Sequence, residues 1–129
     1  VLVIDANIAV AACARPGGFE YLRDDLVGPS LLWSETRANL HLNAFKGGIG
    51  RERARRLNER LDAAPIARID PPDLGREAWR LADEFGWGRT YDAEFVALAR
   101  MFDCRLVTLD IRLRRGTDRL GFVVTPAEL

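Results

Sequence analysis

At 129 residues the chain has the length of one ordinary domain, and its 19 basic and 19 acidic side chains cancel at pH 7. A composition of 48% hydrophobic and 29% charged residues excludes disorder. The longest apolar run, Ile8 to Ala14, is far short of the ~18 residues a spanning helix needs, and the null net charge excludes nucleic-acid attraction by bulk charge alone.

In chain order, Val1 to Ile4 reads as a strand buried on both faces, followed by a helix from Asn7 to Ala14 that the cluster Pro16-Gly17-Gly18 ends. Asp5 and Asn7 interrupt this apolar start and no basic segment precedes it, so it reads as structure rather than as a signal peptide, and a cytoplasmic protein is expected. A short helix is expected over Phe19 to Leu26 and a short strand over Pro29 to Leu32. Ser34 to Phe45 sets Ala38, Leu42 and Phe45 at helical spacing as an inward stripe, with Gly47-Gly48 as the stop. Ala54, Leu57, Leu61 and Ala64 mark the stripe of a further helix, and Ile66 to Ile69 a strand closed by Pro71-Pro72. Leu74, Ala78, Leu81, Ala82 and Phe85 form the next stripe, which Gly86 and Gly88 break. A helix from Tyr91 to Phe102 should turn Phe95, Leu98, Ala99 and Phe102 inward; Leu106 to Leu109 is a buried strand, Arg112 to Arg115 a helical turn, and Phe122 to Val124 an edge strand. This alternation predicts an α/β fold in one domain spanning residues 1–129, a mostly parallel sheet of four to five strands flanked by helices.

Lys46 is the only Lys among the 19 basic residues, so the basic chemistry is that of Arg. Two segments are locally basic, Arg51 to Arg60 and Asp110 to Arg119. Cys13 and Cys104 lack any paired spacing, which leaves disulfide frameworks and zinc ribbons without support, and His41 is the only histidine, which removes a His-pair mechanism. Trp33, Trp79 and Trp87 are expected to pack in the core, with base stacking the functional alternative for Trp87. The connector Gly47 to Gly50 is no phosphate loop, because no strand precedes it; with Phe45 and Lys46 it is a candidate border of an RNA groove or of a partner contact.

The informative residues are acids. Val-Leu-Val-Ile-Asp5 and Leu-Val-Thr-Leu-Asp110 are buried-type strands that each end in aspartate, where ligands bind in open α/β sheets; helix capping is the alternative reading of both. Asp92 begins the stripe of Phe95, Ala99 and Phe102, and Glu35 that of Ala38, Leu42 and Phe45, so both acids stand on faces expected to be buried. Carboxylates ~5 Å apart repel by roughly 3 kcal/mol at an effective dielectric near 20. A divalent cation or protonation must offset this, and an all-oxygen donor set suits Mg2+ or Mn2+. The matching chemistry is metal-assisted phosphodiester hydrolysis, with the basic segments holding flanking phosphates.

Val-Ile-Asp5-Ala-Asn7, Trp33-Ser34-Glu35, the run Thr90-Tyr91-Asp92-Ala-Glu-Phe-Val-Ala-Leu-Ala99, Leu-Val-Thr108-Leu-Asp110 and the closing Val-Val-Thr-Pro-Ala-Glu-Leu resemble, in order and spacing, the PIN-domain ribonucleases, with the VapC toxins of bacterial toxin–antitoxin pairs as the nearest likeness. The resemblance implies an endoribonuclease dependent on Mg2+ or Mn2+, a homodimer, an RNA substrate and inhibition by a small cognate antitoxin. It maps the family's acidic quartet onto Asp5, Glu35, Asp92 and Asp110, with Asn7 and Thr108 as supporting polar groups. Asp5 and Asp110 are then the direct metal ligands, Asp92 a ligand directly or through water, and Glu35 an orienter or general base. Arg112, Arg114, Arg115 and Lys46 are candidate RNA contacts, while Glu94 is set aside as a solvated surface acid. Two rival readings remain at this level. One is a non-catalytic, metal-stabilised module that binds RNA or protein; the other is a phosphohydrolase on a similar scaffold, for which Asn7 stands where a second Asp is wanted.

Overall fold

A computed structural model describes residues 1–129. Five strands, β1 (Leu2–Ile4), β2 (Leu26–Gly28), β3 (Ile66–Arg68), β4 (Arg105–Val107) and β5 (Val123–Val124), form one sheet in the order β3-β2-β1-β4-β5 with every neighbouring pair parallel. Six helices connect them: α1 (Ala6–Ala14), α2 (Leu31–Phe45), α3 (Arg51–Asp62), α4 (Leu74–Phe85), α5 (Tyr91–Met101) and α6 (Ile111–Gly116). None of them is long and apolar enough to cross a membrane.

Strand β1 is central because all three of its residues are apolar and buried, which only a position with neighbours on both sides allows. The chain leaves β1 through α1 to β2 and through α2 and α3 to β3, then returns through α4 and α5 to β4 on the other side of β1. The helices follow suit: α1, α2 and α3 pack on one another, whereas α4 packs on α5 and α5 on β1 and β4. With right-handed crossovers, this reversal sets the two helix groups on opposite faces. It also makes the gap between the carboxyl ends of β1 and β4 the switch point, because the chain leaves these two neighbours in opposite directions.

Residues 19–32 depart from the sequence expectation. The expected helix over Phe19 to Leu26 is a single 3-10 turn, Glu20–Leu22, and the strand expected at Pro29 to Leu32 is β2, which ends at Gly28. A Cβ at Gly28 would lie 2.5 Å from Leu32 Cδ2 and 3.3 Å from Leu32 Cβ, so the bare backbone there lets the first turn of α2 pack close to the strand it follows. The apolar Leu31-Leu32-Trp33 therefore opens a helix.

The inward face of α2 also differs from expectation. Leu32, Trp33, Thr36 and Leu40 are buried, while Leu42 and Phe45 are 48% and 79% exposed and Ala38 is exposed beside them. A polar residue at the centre of the true face hid it. Thr36 tolerates full burial because its hydroxyl donates to the Leu32 carbonyl 2.7 Å away, one turn back in the same helix. Two aromatic residues expected inside are outside as well: Phe102 caps the end of α5 and is 47% exposed, and Trp79 stands 66% exposed on the outer face of α4. Trp33 is buried, with the Arg68 guanidinium 4.3 Å from its ring centroid.

Leu81 and Trp79 lie two residues apart on α4, with Leu81 fully buried. Leu81→Ala should cost about 2–5 kcal/mol in urea unfolding, whereas Trp79→Ala should change stability by no more than about 0.5 kcal/mol. A cost for Trp79→Ala that matched Leu81→Ala would contradict this packing.

Candidate active site

Asp5 follows β1 directly, and Thr108 and Asp110 follow β4. The extended backbone of Asp5 ends the strand, and its Oδ1 accepts the Ile8 N–H at 3.1 Å, which caps α1. The buried Thr108 hydroxyl donates to Asp5 Oδ2 and accepts the Asp110 N–H at 3.0 Å, so one side chain ties the two strand ends together across the switch point. Asp110 caps α6, with its Oδ1 accepting from Arg112 N at 2.9 Å and Leu113 N at 3.2 Å. Both aspartates are therefore helix caps, and Thr108 also joins them to each other at the ends of the two strands. Asp110 Oδ2 accepts no hydrogen bond from the protein and stays available to a ligand.

Glu35 in α2 and Asp92 in the first turn of α5 face the same region, as the electrostatics record. Burial pushes Asp5 up to about 6, against the hydrogen bonds from Thr108 and Ile8, with Asp92 and Asp110 adding repulsion. Burial also pushes Glu35 up to about 7, followed by repulsion from Asp92, Asp5 and Glu94. Asp92 is an exposed residue at the rim rather than a member of a buried stripe; loss of solvation around its carboxyl, then Asp110, holds it above the usual range. None of the four pairs with a basic side chain. Glu35 Oε1 is buried without a hydrogen-bond partner.

Glu94, set aside from sequence as a solvated acid, belongs to this region. It is half-buried and raised first by burial and then by Asp70, whose carboxylate accepts the Ser30 N–H at 2.8 Å beyond the end of β2. The reason lies in α5, which buries Ala93 and every residue from Phe95 to Ala99, so the other side of this helix is not a solvent face. Asn7, by contrast, is exposed on α1 and makes no hydrogen bond through its side chain.

The candidate RNA contacts divide. Arg112 and Arg115 are exposed on α6, the helix Asp110 caps, and neither is paired. Arg114 is occupied: its Nε and Nη2 donate to the two Glu128 oxygens at 2.8 and 2.9 Å, and its Nη1 to Asp118 at 2.7 Å. Lys46 follows the far end of α2, eleven positions beyond Glu35 or about 16 Å along the helix. The Arg row of α3 is remote as well, since Arg60 donates to the Cys13 carbonyl at 2.8 Å and Arg53 to that of Ala14 at 3.2 Å. Those carbonyls lie at the end of α1 away from Asp5.

No three acidic, histidine or cysteine side chains converge closely enough to form a finished metal cage. The donor set nonetheless fits a hard divalent cation. It offers carboxylate oxygens only, unneutralised by Arg, with one orphaned oxygen on Glu35, and Mg2+ keeps most of its waters and needs only one or two carboxylates. Beside the acids, Trp87, Arg89 and Tyr91 line a cleft of about 710 Å³ that Glu35 and Asp92 share. The largest cleft, about 1060 Å³, lies at the opposite ends of the strands around Val1, Asp24 and Pro65 and contains none of the quartet.

A sequence model of the PIN domain matches residues 2–118. Ribonuclease VapC9 of Mycobacterium tuberculosis is 30% identical over 129 residues, covering 98% of this chain and 99% of its own. Among solved structures, PAE2754 from Pyrobaculum aerophilum superposes with a TM-score of 0.75 at 23% identity, over 98% of this chain and 84% of that one. A toxin–antitoxin complex from Klebsiella pneumoniae gives 0.68 at 19% identity, over 98% of each chain.

The folded protein holds protons on Asp5 to about pH 6 and on Glu35 to about pH 7, whereas the unfolded chain releases them near pH 4. Native protein therefore binds more protons across that window, and stability falls as pH rises through it. The melting temperature of metal-free protein should be lower at pH 7.5 than at pH 5. Asp5→Asn keeps a capping oxygen and removes the charge, so it should raise the melting temperature at pH 7.5 and flatten this slope. A melting temperature that climbs with pH, or that drops for Asp5→Asn at both values, would contradict the electrostatics.

Proposed function

This chain belongs to the PIN-domain family, and from that premise we propose that it is a divalent-metal-dependent endoribonuclease of the VapC type, the toxin of a toxin–antitoxin pair. The observation that carries the proposal is the quartet itself, four carboxylates at the switch point whose repulsion no basic side chain relieves. Capping accounts for Asp5 and Asp110 but not for Glu35 and Asp92, whereas a cation and a phosphodiester would use all four.

Asp5, Asp92 and Asp110 would hold Mg2+ or Mn2+. When bound, the ion stabilises charge on the scissile phosphate and leaving oxygen and makes water a stronger nucleophile. Thr108 positions the pair of strand-end aspartates by donating to one and accepting from the backbone of the other. Glu35, pushed up to about 7 by burial, takes the proton of the attacking water. Arg112 and Arg115 hold a phosphate flanking the cut, since they stand unpaired on the helix that Asp110 begins.

An antitoxin contact on α2 and α3 is supported by the surface there. Phe45, exposed like Leu42 on the same helix, lines a groove of about 590 Å³ floored by Leu40, Ala44 and Ala54, with the unpaired Arg51 at its edge, which suits an apolar helix carrying an acidic residue. The catalytic unit in this reading is a homodimer.

Purified protein should cleave single-stranded RNA with Mg2+ or Mn2+ and not with EDTA, and Asp92→Asn, folded alike by circular dichroism, should lose at least about a hundredfold in rate. Metal-independent cleavage, or full activity in Asp92→Asn, would refute the assignment; RNA and metal binding without cleavage would favour a non-catalytic module. On the partner face, Phe45→Glu should weaken co-purification with the co-expressed antitoxin by about tenfold or more while cleavage persists. Undiminished co-purification would move the antitoxin elsewhere.

A further inference from the structure

The cleft beside the acids carries an inference that rests on the RNA reading above and goes beyond it. Trp87 lies in the short connection between α4 and α5, and three contacts fix its position. Gly86 ends α4 in the left-handed region at φ 69°, the Trp87 N–H donates to the Ala82 carbonyl at 2.8 Å, and the indole stacks on Phe85 with ring centroids 5.0 Å apart and planes 20° apart. Phe85 is itself covered by the Arg119 guanidinium, 4.3 Å from its centroid. The indole is therefore held as the end of a stack, and it lines the cleft.

Core packing accounts for only part of this arrangement, because Trp87 is half-buried and its ring N–H meets no acceptor in the protein. The neighbouring groups are unemployed too. Arg89 is exposed and forms no ion pair, Tyr91 is 54% exposed, and Ser34 across the cleft makes no side-chain hydrogen bond. An aromatic platform, a free guanidinium and several unmatched donors thus border a space of about 710 Å³ that shares Glu35 and Asp92 with the acid cluster. That volume takes a nucleobase with its sugar, and the shared wall sets the attached phosphate at the acids.

We propose that this cleft is a nucleobase subsite: the unpaired base of the nucleotide next to the scissile phosphate stacks on Trp87, with Tyr91 at its edge and Arg89 on the neighbouring phosphate. Only a single-stranded segment can turn a base into a cleft of this kind, so the site selects loops and unpaired stretches over duplex. Stacking accepts any base, whereas the donors of Trp87, Ser34 and Tyr91 favour bases that present acceptors at the matching edge. Cleavage preference at one position flanking the cut is then set by residues that do not touch the reacting phosphate.

The test separates this subsite from the chemistry. In a Trp79→Phe background, which removes the exposed tryptophan that does not line the cleft and leaves the buried Trp33 as the only other emitter, protein in EDTA and 0.15 M salt is titrated with five-residue single-stranded oligoribonucleotides, and both tryptophan emission and anisotropy of a labelled strand are read. Saturable quenching is expected. Trp87→Leu should abolish the quench and weaken binding by about tenfold or more, while Trp87→Phe keeps most of the affinity. Should Trp87→Leu fail to fold, Arg89→Ala and Tyr91→Ala, both at exposed positions, should each weaken binding by about threefold or more. With metal, Tyr91→Ala should raise KM and alter base preference with kcat little changed. Folded variants that bind like the parent and keep its cleavage pattern overturn the subsite. Binding that depends on Trp87 and Tyr91 in a protein that never cleaves RNA leaves the subsite standing and removes the nuclease assignment instead.

Discussion

Seven acids of this chain, Glu52, Asp62, Asp73, Glu77, Glu84, Asp118 and Glu128, stand in ion pairs with Arg, and Glu77 and Glu84 do so doubly. Asp5, Glu35, Asp92 and Asp110 do not, although 19 basic residues were available. The site depends on this withholding of positive charge. An Arg placed among the four would neutralise them, lower their affinity for protons and for a cation alike, and fill the space a phosphate must enter. Burial, with repulsion from the other acids and no basic partner to offset either, raises Asp5 to about 6 and Glu35 to about 7.

The scaffold tolerates that repulsion because the strand-end aspartates also serve locally. Asp5 caps α1 and Asp110 caps α6, so each carboxylate receives backbone N–H groups that partly offset burial. Thr108 joins the two into one unit with a hydroxyl that donates to a side chain and accepts from a backbone. Valine would fit the same buried space and lose both contacts, leaving the Asp110 N–H and one Asp5 oxygen without partners. The helix caps and the candidate site thus share atoms.

The central strand, the acids that follow β1 and β4, and the order of elements after residue 33 were legible because their signals are local, although the strand expected over Leu106 to Leu109 stops at Val107 and leaves Leu109 exposed. A buried parallel strand is a short apolar run, and an acid that ends one is visible against it. Where a signal needed a partner from elsewhere, sequence reading failed. The apolar spacing of Ala38, Leu42 and Phe45 is genuine helical periodicity, yet it marks an exposed row, because the Thr36 hydroxyl is satisfied inside the helix and its face could be buried instead. Glu94 read as a surface acid because two thirds of a typical helix faces water, a rule that α5 breaks by burying nearly its whole circumference. Arg114 read as a phosphate contact until Glu128, fourteen positions on, claimed it.

By itself the sequence determined where the central strand and most helices lie, which acids follow the strands β1 and β4, and which helices Asp5 and Asp110 begin. Periodicity, capping and apolar runs act within a few neighbouring residues, so a single chain states them openly. Tertiary structure alone decided which acids lose solvent, which Arg residues remain free, and that Thr108 reaches Asp5 across 103 positions of chain. It also set Trp87, Arg89 and Tyr91 around one cleft with Glu35 of a distant helix. Desolvation and charge coupling depend on which surfaces packing brings together, and that is a property of the whole sheet and its helices rather than of any segment.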